Sequence, residues 1–325
     1  MSMKDYCEQI MTAAEIENRD AWLDARKSSI GGSEAGVIVG LNKWKSPYQL
    51  WLEKTGETEP EDISDKEAVH FGTKLEQLVA DEFCEREGKK VHRCGLFRSK
   101  EYPFMTASFD RLVVGEQAGL ECKTANAFAR EAWDTGELPP SYYVQCQHYM
   151  MVSGLPKWYI ACIVGGQHYV CWTIERNEDD IAALRAAETD FWNKVKSHTM
   201  PDIDGSESCT QALRNHFKGG LTEPIDLPEK AVGLVKRIDE LKDAESDIKQ
   251  QKTACQNELC KMLGDNEIGL VDIVGFDGNP VRRVVSWKPV KGRTTIDAKR
   301  LKKDLPDIFE KYAKTSAASR RFSIK

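Results

Sequence analysis

Apolar residues fall at helical spacing over residues 68–87, where Phe71, Leu75, Leu78, Val79 and Phe83 share one face at a 3.6-residue period. A sparser pattern, Ile10, Ile16, Trp22 and Leu23, predicts a helix over 4–27. Ser33 is a candidate N-cap for a short helix over 34–39. Pro47 and Gly56 bracket another helix as first-turn and terminal residues. Strand-like runs occupy 90–98, 104–114 and 120–123. Pro139-Pro140 then breaks the chain before a helix over 141–153, with Ser141 as its candidate cap. Runs at 158–164 and 168–174 flank Gly165-Gly166 and predict a hairpin, and Asn177 caps a helix to about 196. This order predicts an α/β core, a mixed sheet flanked by helices, over residues 1–200.

A stretch rich in Asp, Gly, Ser and Pro follows and reads as a linker over 201–228. Residues 229–325 then read as an α+β extension. It begins with a long helix over 229–263, whose Leu234, Ile238, Leu241, Ile248, Cys255, Leu259 and Met262 fit a heptad seam interrupted at Glu245 and Lys252. Pairing with another helix of the same chain is the simplest expectation for that seam. A hairpin over 268–287 turning at Asp277-Gly278, a basic helix over 294–312 and a loose basic end complete the chain.

Composition narrows the function classes. The chain of 325 residues is long enough for one large or two modest domains. No run of 18 apolar residues offers a membrane span, and the N-terminus is too polar for a signal peptide. Ten cysteines lie without a C-x-x-C pair or zinc-type spacing, which argues against iron–sulfur and structural zinc sites. Cys84, Cys122, Cys146, Cys162 and Cys171 sit in apolar contexts, as buried thiols of a reducing cytoplasm do. The net charge of −6 conceals an asymmetry: residues 281–325 hold 14 Lys and Arg against 4 Asp and Glu. Such a basic end suits an anionic partner or a merely solvated surface.

The chemistry concentrates in residues 104–123. Asp110 opens the apolar run Leu112-Val113-Val114, a glycine-bounded turn follows, and then comes Leu120-Glu121-Cys122-Lys123. Period-2 alternation puts Glu121 and Lys123 on one strand face and Cys122 on the other. If the two runs pair, two carboxylates and an ammonium converge. Two carboxylates suit Mg²⁺ or Mn²⁺, and a lysine beside them can hold a water or steady charge on a phosphate oxygen. That is an arrangement for metal-assisted phosphodiester hydrolysis, although an Asp before a strand and a Glu-x-Lys on a solvated strand face are also common without any catalytic role. Glu76, at the edge of the 68–87 stripe, is a candidate additional ligand. The glycine-rich turn from Arg26 to Gly36 leads into a helix start; taken alone it reads first as an ordinary capped turn, and second as a place where backbone N–H groups attract phosphate. Lys43-Trp44-Lys45 forms a basic–aromatic trio of the kind that meets DNA, or a Trp bound for the core.

The ordered set Arg26-x₆-Ser33, Glu76, Ser108-x-Asp110, Glu121-x-Lys123 and Gln145-x-Gln147 resembles the YqaJ-like viral recombinase family, relatives of phage lambda exonuclease among the PD-(D/E)xK nucleases. The segments IGGSEAGVIVGLNKWKSPYQLW, FGTKLE, ASFDRL, LECKTA and YYVQCQHYM carry it in order, over roughly residues 22–192. Phe109 stands where the motif's leading proline is absent, a departure many members share.

The resemblance implies a restriction-endonuclease-like core and a 5′→3′ exonuclease on linear double-stranded DNA that leaves 3′ single-stranded overhangs. It implies that Asp110, Glu121 and the Cys122 backbone carbonyl hold two Mg²⁺ ions, with Mn²⁺ as a substitute and Glu76 assisting. Lys123 would position the attacking water. Arg26, Ser33, Ser108 and Gln145 would form the 5′-phosphate pocket, and Gln147 would support the site. A ring of three subunits, a single-strand annealing protein as partner, and a phage or prophage origin in a bacterial cytoplasm belong to the same expectation. Two other readings are a PD-(D/E)xK endonuclease of restriction or repair type and a non-catalytic DNA-end-binding module. A Cas4-like nuclease would need an iron–sulfur cysteine set that these spacings do not offer.

Overall fold

The computed structural model describes residues 2–135, 138–275, 278–314, 320 and 322–324. Two units are distinguished, Met1–Lys218 and Gly219–Lys325.

The first unit begins with α1 (Met3–Tyr6), β1 (Cys7–Met11), α2 (Arg19–Lys27), β2 (Ile30–Gly31) and α3 (Gly32–Ile38). The single helix expected over 4–27 is therefore replaced by a strand and a later helix. Cys7 is buried, and its strand finds a sheet partner, so tertiary pairing overrides a weak helical period. Asn18, whose side chain accepts from the Ala21 N–H, starts α2. Next come α4 (Pro47–Thr55) and the 21-residue α5 (Glu67–Glu87). Ser46 caps α4 with Pro47 in its first turn, and Gly56 at φ +77° ends it. On α5 the buried positions are Val79, Ala80 and Phe83, while Phe71 and Leu78 are exposed, so only the C-terminal half of the expected stripe packs.

Strands β3 (Val91–Arg93), β4 (Leu96–Ser99), β5 (Met105–Ser108), β6 (Arg111–Val113) and β7 (Ala118–Ala125) follow. Each of the two strands expected over 90–98 and 104–114 is split, and the halves join different sheets. β4 and β5 lie in a four-stranded sheet of order β1-β4-β5-β2, whereas β3 and β6 belong to a five-stranded one. The first split falls at Gly95, where a Cβ would stand 1.8 Å from the Met11 carbonyl oxygen, so only glycine passes. The second falls at Phe109-Asp110. Asp110 therefore sits where the chain crosses from one sheet to the other.

Helices α6 (Arg130–Asp134) and α7 (Pro140–Ser153) lead to β8 (Lys157–Val164) and β9 (His168–Glu175). The five-stranded sheet runs β3-β6-β7-β8-β9 and is mixed, with β7 antiparallel to β6 and parallel to β8. Helix α7 begins at Pro140 rather than behind a Ser141 cap. β8 is buried on both faces: Trp158, Ile160 and Cys162 join the core that includes α7, and Tyr159, Ala161 and Ile163 join that of α5. Helices therefore cover both faces of a mixed sheet, the expected fold class. Asn177 caps α8 (Glu178–Lys196), as its sequence position implies.

The expected linker over 201–228 contains a helix instead, α9 (Glu207–His216). Ser206 caps it, and Cys209 and Ala212 are buried in a cluster with Tyr48, Leu50, Leu52 and Phe191. Burial of two small residues on α4 and α8 gives this segment a reason to be helical that its composition hides.

In the second unit α10 (Lys230–Leu263) runs for 34 residues. β10 (Ile268–Val274) and β11 (Pro280–Ser286) pair antiparallel, from Ile268 opposite Ser286 to Val274 opposite Pro280. Of the expected turn pair, Asp277 lies outside the described residues, while Gly278 has φ +79°. The single basic helix expected over 294–312 is two, α11 (Ala298–Asp304) and α12 (Pro306–Tyr312), because Pro306 opens a new first turn. Among the described residues no helix is long and apolar enough to cross a membrane. All ten cysteines are free, with Cys146 and Cys162 buried and Cys84, Cys122 and Cys171 half-buried.

Candidate active site

The hairpin of β6 and β7 sets the centre. Register Arg111 opposite Leu120 brings Asp110 beside the start of Glu121-Cys122-Lys123, and the Cys122 N–H donates to Asp110 Oδ2 at 2.8 Å. Alternation then puts Glu121 and Lys123 together: Lys123 Nζ donates to Glu121 Oε1 at 2.5 Å. From α7, Gln145 Nε2 donates to the same Glu121 oxygen at 2.8 Å and to the Tyr149 hydroxyl at 2.7 Å, while Gln145 Oε1 lies 3.3 Å from Lys123 Nζ.

The electrostatics follow from crowding. Burial, Glu121 and Glu76 hold Asp110 well above the usual carboxylate range, against the opposing pull of Lys123 and the Cys122 N–H. Burial pulls Lys123 down, but Glu121 and Asp110 raise it above the ordinary lysine value, so it stands as an ammonium. Glu121 Oε2 is buried with no hydrogen-bond partner among the described residues. Two crowded carboxylates and an unsatisfied buried oxygen make a donor set that fits a hard divalent cation. Among the described residues no group of three or more His, Cys, Asp and Glu side chains is placed to bind a metal.

A cavity of about 190 Å³ opens on this centre, lined by Trp22, Arg26, Gly31, Gly32, Ser33, Ser108, Asp110, Glu121, Gln145 and Tyr149 among others. Arg26 lies over the Trp22 ring at 4.6 Å and donates to Ser33 Oγ at 3.0 Å. Glu34 anchors that wall. Its carboxylate accepts from the Gly31 N–H at 2.9 Å, pairs with Lys54 at 2.9 Å and lies 3.6 Å from Arg26. Burial pushes Glu34 up, but Lys54 and Arg26 more than offset it and keep it ionised. The glycine-rich turn is there for fit: a Cβ on Gly32 would stand 2.4 Å from the Tyr149 ring. Gly31 is the residue before the helix, and Ser33 lies inside α3 rather than capping it.

Two expected site residues, Glu76 and Gln147, stand outside the cavity lining. Glu76 is not among the cavity-lining residues, and its carboxylate accepts from Arg111 Nη1 at 2.6 Å. Arg111, buried in β6, also donates to the Asp110 carbonyl and to Gln77. A guanidinium thus pairs with Glu76, which still stands near enough to Asp110 to raise its pKa. Gln147 faces away from the cavity, where its amide bonds the Glu175 carbonyl at 2.8 Å and the Asn177 N–H at 3.1 Å. It fastens α7 to the junction of β9 and α8.

Sequence reasoning passed over Arg111, Glu34, Lys54, Trp22 and Tyr149 as site residues. An arginine opening the short apolar strand after Asp110 was a usable signal, since a charge there needs a buried partner. Nothing local marked Lys54 or Glu34, whose pairing spans α3 and α4. Trp44 of the basic–aromatic trio is exposed, while Lys45 is held by Glu53 at 2.6 Å.

Residues 21–156 match the YqaJ-like viral recombinase domain. The YqaJ protein of Bacillus subtilis (strain 168) is 40% identical over 313 residues, covering 95% of this chain and 94% of its own. Among solved structures, an alkaline exonuclease from Laribacter hongkongensis superposes with a TM-score of 0.48 at 22% identity, over 55% of this chain and 94% of that one. A phage-related exonuclease from Haemophilus somnus does so at 0.39 and 14%, over 52% and 96%. With an identity of 40% sustained along nearly its whole length, the chain belongs to the YqaJ-like viral recombinase family.

Proposed function

We propose that the protein is a divalent-cation-dependent 5′→3′ exonuclease that acts on linear double-stranded DNA and leaves 3′ single-stranded overhangs for annealing-based recombination. The observation that carries this reading is one cavity lined both by Asp110 and Glu121 and by Arg26, Ser33 and Ser108. Carboxylates for a metal therefore stand beside a guanidinium and hydroxyls for a phosphate, as a nuclease that grips a 5′ end requires. Membership of a viral recombinase family supports the recombination context.

Asp110, Glu121 and the Cys122 carbonyl are the oxygens we assign to Mg²⁺, with Mn²⁺ as a substitute and two ions per site. A divalent cation bound there supplies Lewis acidity at the scissile phosphate and a more acidic water. The residues of the chain do the rest. Glu121 is oriented by Lys123 and Gln145, which share its Oε1. Lys123, held as an ammonium, directs its charge at the reacting phosphate and orients the attacking water. Arg26, kept in place by Trp22 and Glu34, receives the 5′-phosphate with Ser33 and Ser108. Gln145 completes this pocket while bonding Glu121, and Glu76, paired with Arg111 beside Asp110, is the assisting carboxylate. Assembly as a three-subunit ring, transfer of the overhang to a single-strand annealing protein, and action in a bacterial cytoplasm complete the proposal.

The test is nucleotide release from a 5′-phosphorylated linear duplex with Mg²⁺ or with EDTA. Release that needs Mg²⁺ and is lost in Asp110→Asn supports the reading; release unaffected by EDTA contradicts it.

A further inference from the structure

Helix α10 carries a seven-residue repeat. Leu234, Leu241, Ile248, Cys255 and Met262 fall on one position of it, and Ala231, Ile238, Glu245, Lys252 and Leu259 lie three residues before each. These are the two positions that form a coiled-coil seam. Yet Leu234, Leu241, Ile248 and Met262 are all more than half exposed, and Leu263 is the only buried residue of the helix. Such a seam, sustained over more than four heptads, requires a partner helix that the described residues do not supply.

We infer that α10 pairs with α10 of a second copy of this chain, in antiparallel orientation. The two charged residues within the seam select this occupant. Neither Glu245 nor Lys252 has an ionic partner among the described residues. A parallel in-register pair would set Glu245 against Glu245 and Lys252 against Lys252 in the same core layers. An antiparallel pair with its two-fold axis between Ser246 and Asp247 instead brings Glu245 within ~6 Å, along the axis, of Lys252 of the second copy, and does so twice. The same register stacks Leu234 on Leu259, Ile238 on Cys255 and Ala231 on Met262 of the second copy. On one flank Arg237 then meets Glu258 of the second copy. On the other, Lys242 and Lys249 oppose one another, a repulsion softened by Asp239, 3.1 Å from Lys242 on its own helix.

Sedimentation velocity on the full-length protein tests this. Ile248→Lys, which places a charge beside the two-fold axis, is expected to halve the particle mass, since the three copies of the proposed ring cannot all pair with one another and must pair with a second ring. Glu245→Lys or Lys252→Glu alone should weaken association by about tenfold or more, and the two together should restore it. Under oxidation, Leu234→Cys chains mixed with Leu259→Cys chains should cross-link across copies. An unchanged mass for folded Ile248→Lys, failure of the double reversal to restore association, or Cys255–Cys255 disulfides in the wild-type protein would overturn the inference.

Discussion

Asp110 Oδ2 accepts the backbone N–H of Cys122 at 2.8 Å, so the carboxylate at a strand break is fastened to the strand that presents Glu121 and Lys123. This one bond ties the Asp110 carboxylate to the strand that carries Glu121. Asp110→Asn retains an acceptor for that N–H while removing the charge. Its nuclease rate should fall by about 10²–10³-fold or more, with the thermal midpoint unchanged or raised because a crowded buried charge is relieved. Initial rates and a thermal melt on the same preparation check both halves.

Lys123 and Gln145 share Glu121 Oε1, which makes Glu121 a buried charge that depends on its neighbours. Lys123→Ala should abolish cleavage and also cost about 3 kcal/mol of stability, because it strands a buried carboxylate. Adding Glu121→Gln should recover most of that stability and none of the activity. Urea denaturation of the two single variants and the double variant gives the cycle.

Arg26 meets Ser33 at 3.0 Å and is steadied by Trp22 and Glu34. Arg26→Ala should slow cutting of 5′-phosphorylated ends by about 10–100-fold, the worth of a charged hydrogen-bonded contact, and barely affect 5′-hydroxyl ends. Rates on the two kinds of end, compared within one preparation, provide the check. Equal loss on both ends would remove the phosphate pocket.

His148, fully buried, has both ring nitrogens engaged: Nδ1 with Glu188 at 2.8 Å and Nε2 with the Thr106 carbonyl at 2.9 Å. Both contacts are donations only when the ring is an imidazolium. Burial pulls its pKa down, but Glu188, the Thr106 carbonyl and the more distant Glu34 raise it above the ordinary 6.5. A raised folded pKa contributes stability that is complete below the unfolded pKa and is lost as pH rises through the folded one. Chemical denaturation between about pH 6 and 9 should therefore show a decline in the wild-type protein that His148→Gln lacks.

How much of this was legible depended on distance along the chain. The pairing of Asp110 with Glu121 and Lys123 could be read because a short glycine-bounded turn and period-2 alternation are local facts. The hairpin of β8 and β9 and the Asn177 cap were legible for the same reason. Cys7–Met11 was not, since its strand character comes from pairing with Leu96–Ser99 far along the chain. Nor was Glu207–His216, where small residues are buried by helices from elsewhere. Glu76 was read as a neighbour of Asp110, but its ion pair with Arg111 was not legible, because Arg111 reaches it only once α5 packs beside β6.

The most direct test compares a blunt linear duplex with a closed circular plasmid, with Mg²⁺ or EDTA. The duplex carries a 3′ label on one strand and a phosphate on each 5′ end. Labelled strands should shorten progressively from the 5′ side, only with Mg²⁺, while the circle stays whole. A nicked or linearised circle, or linear DNA bound but never cut, would contradict it.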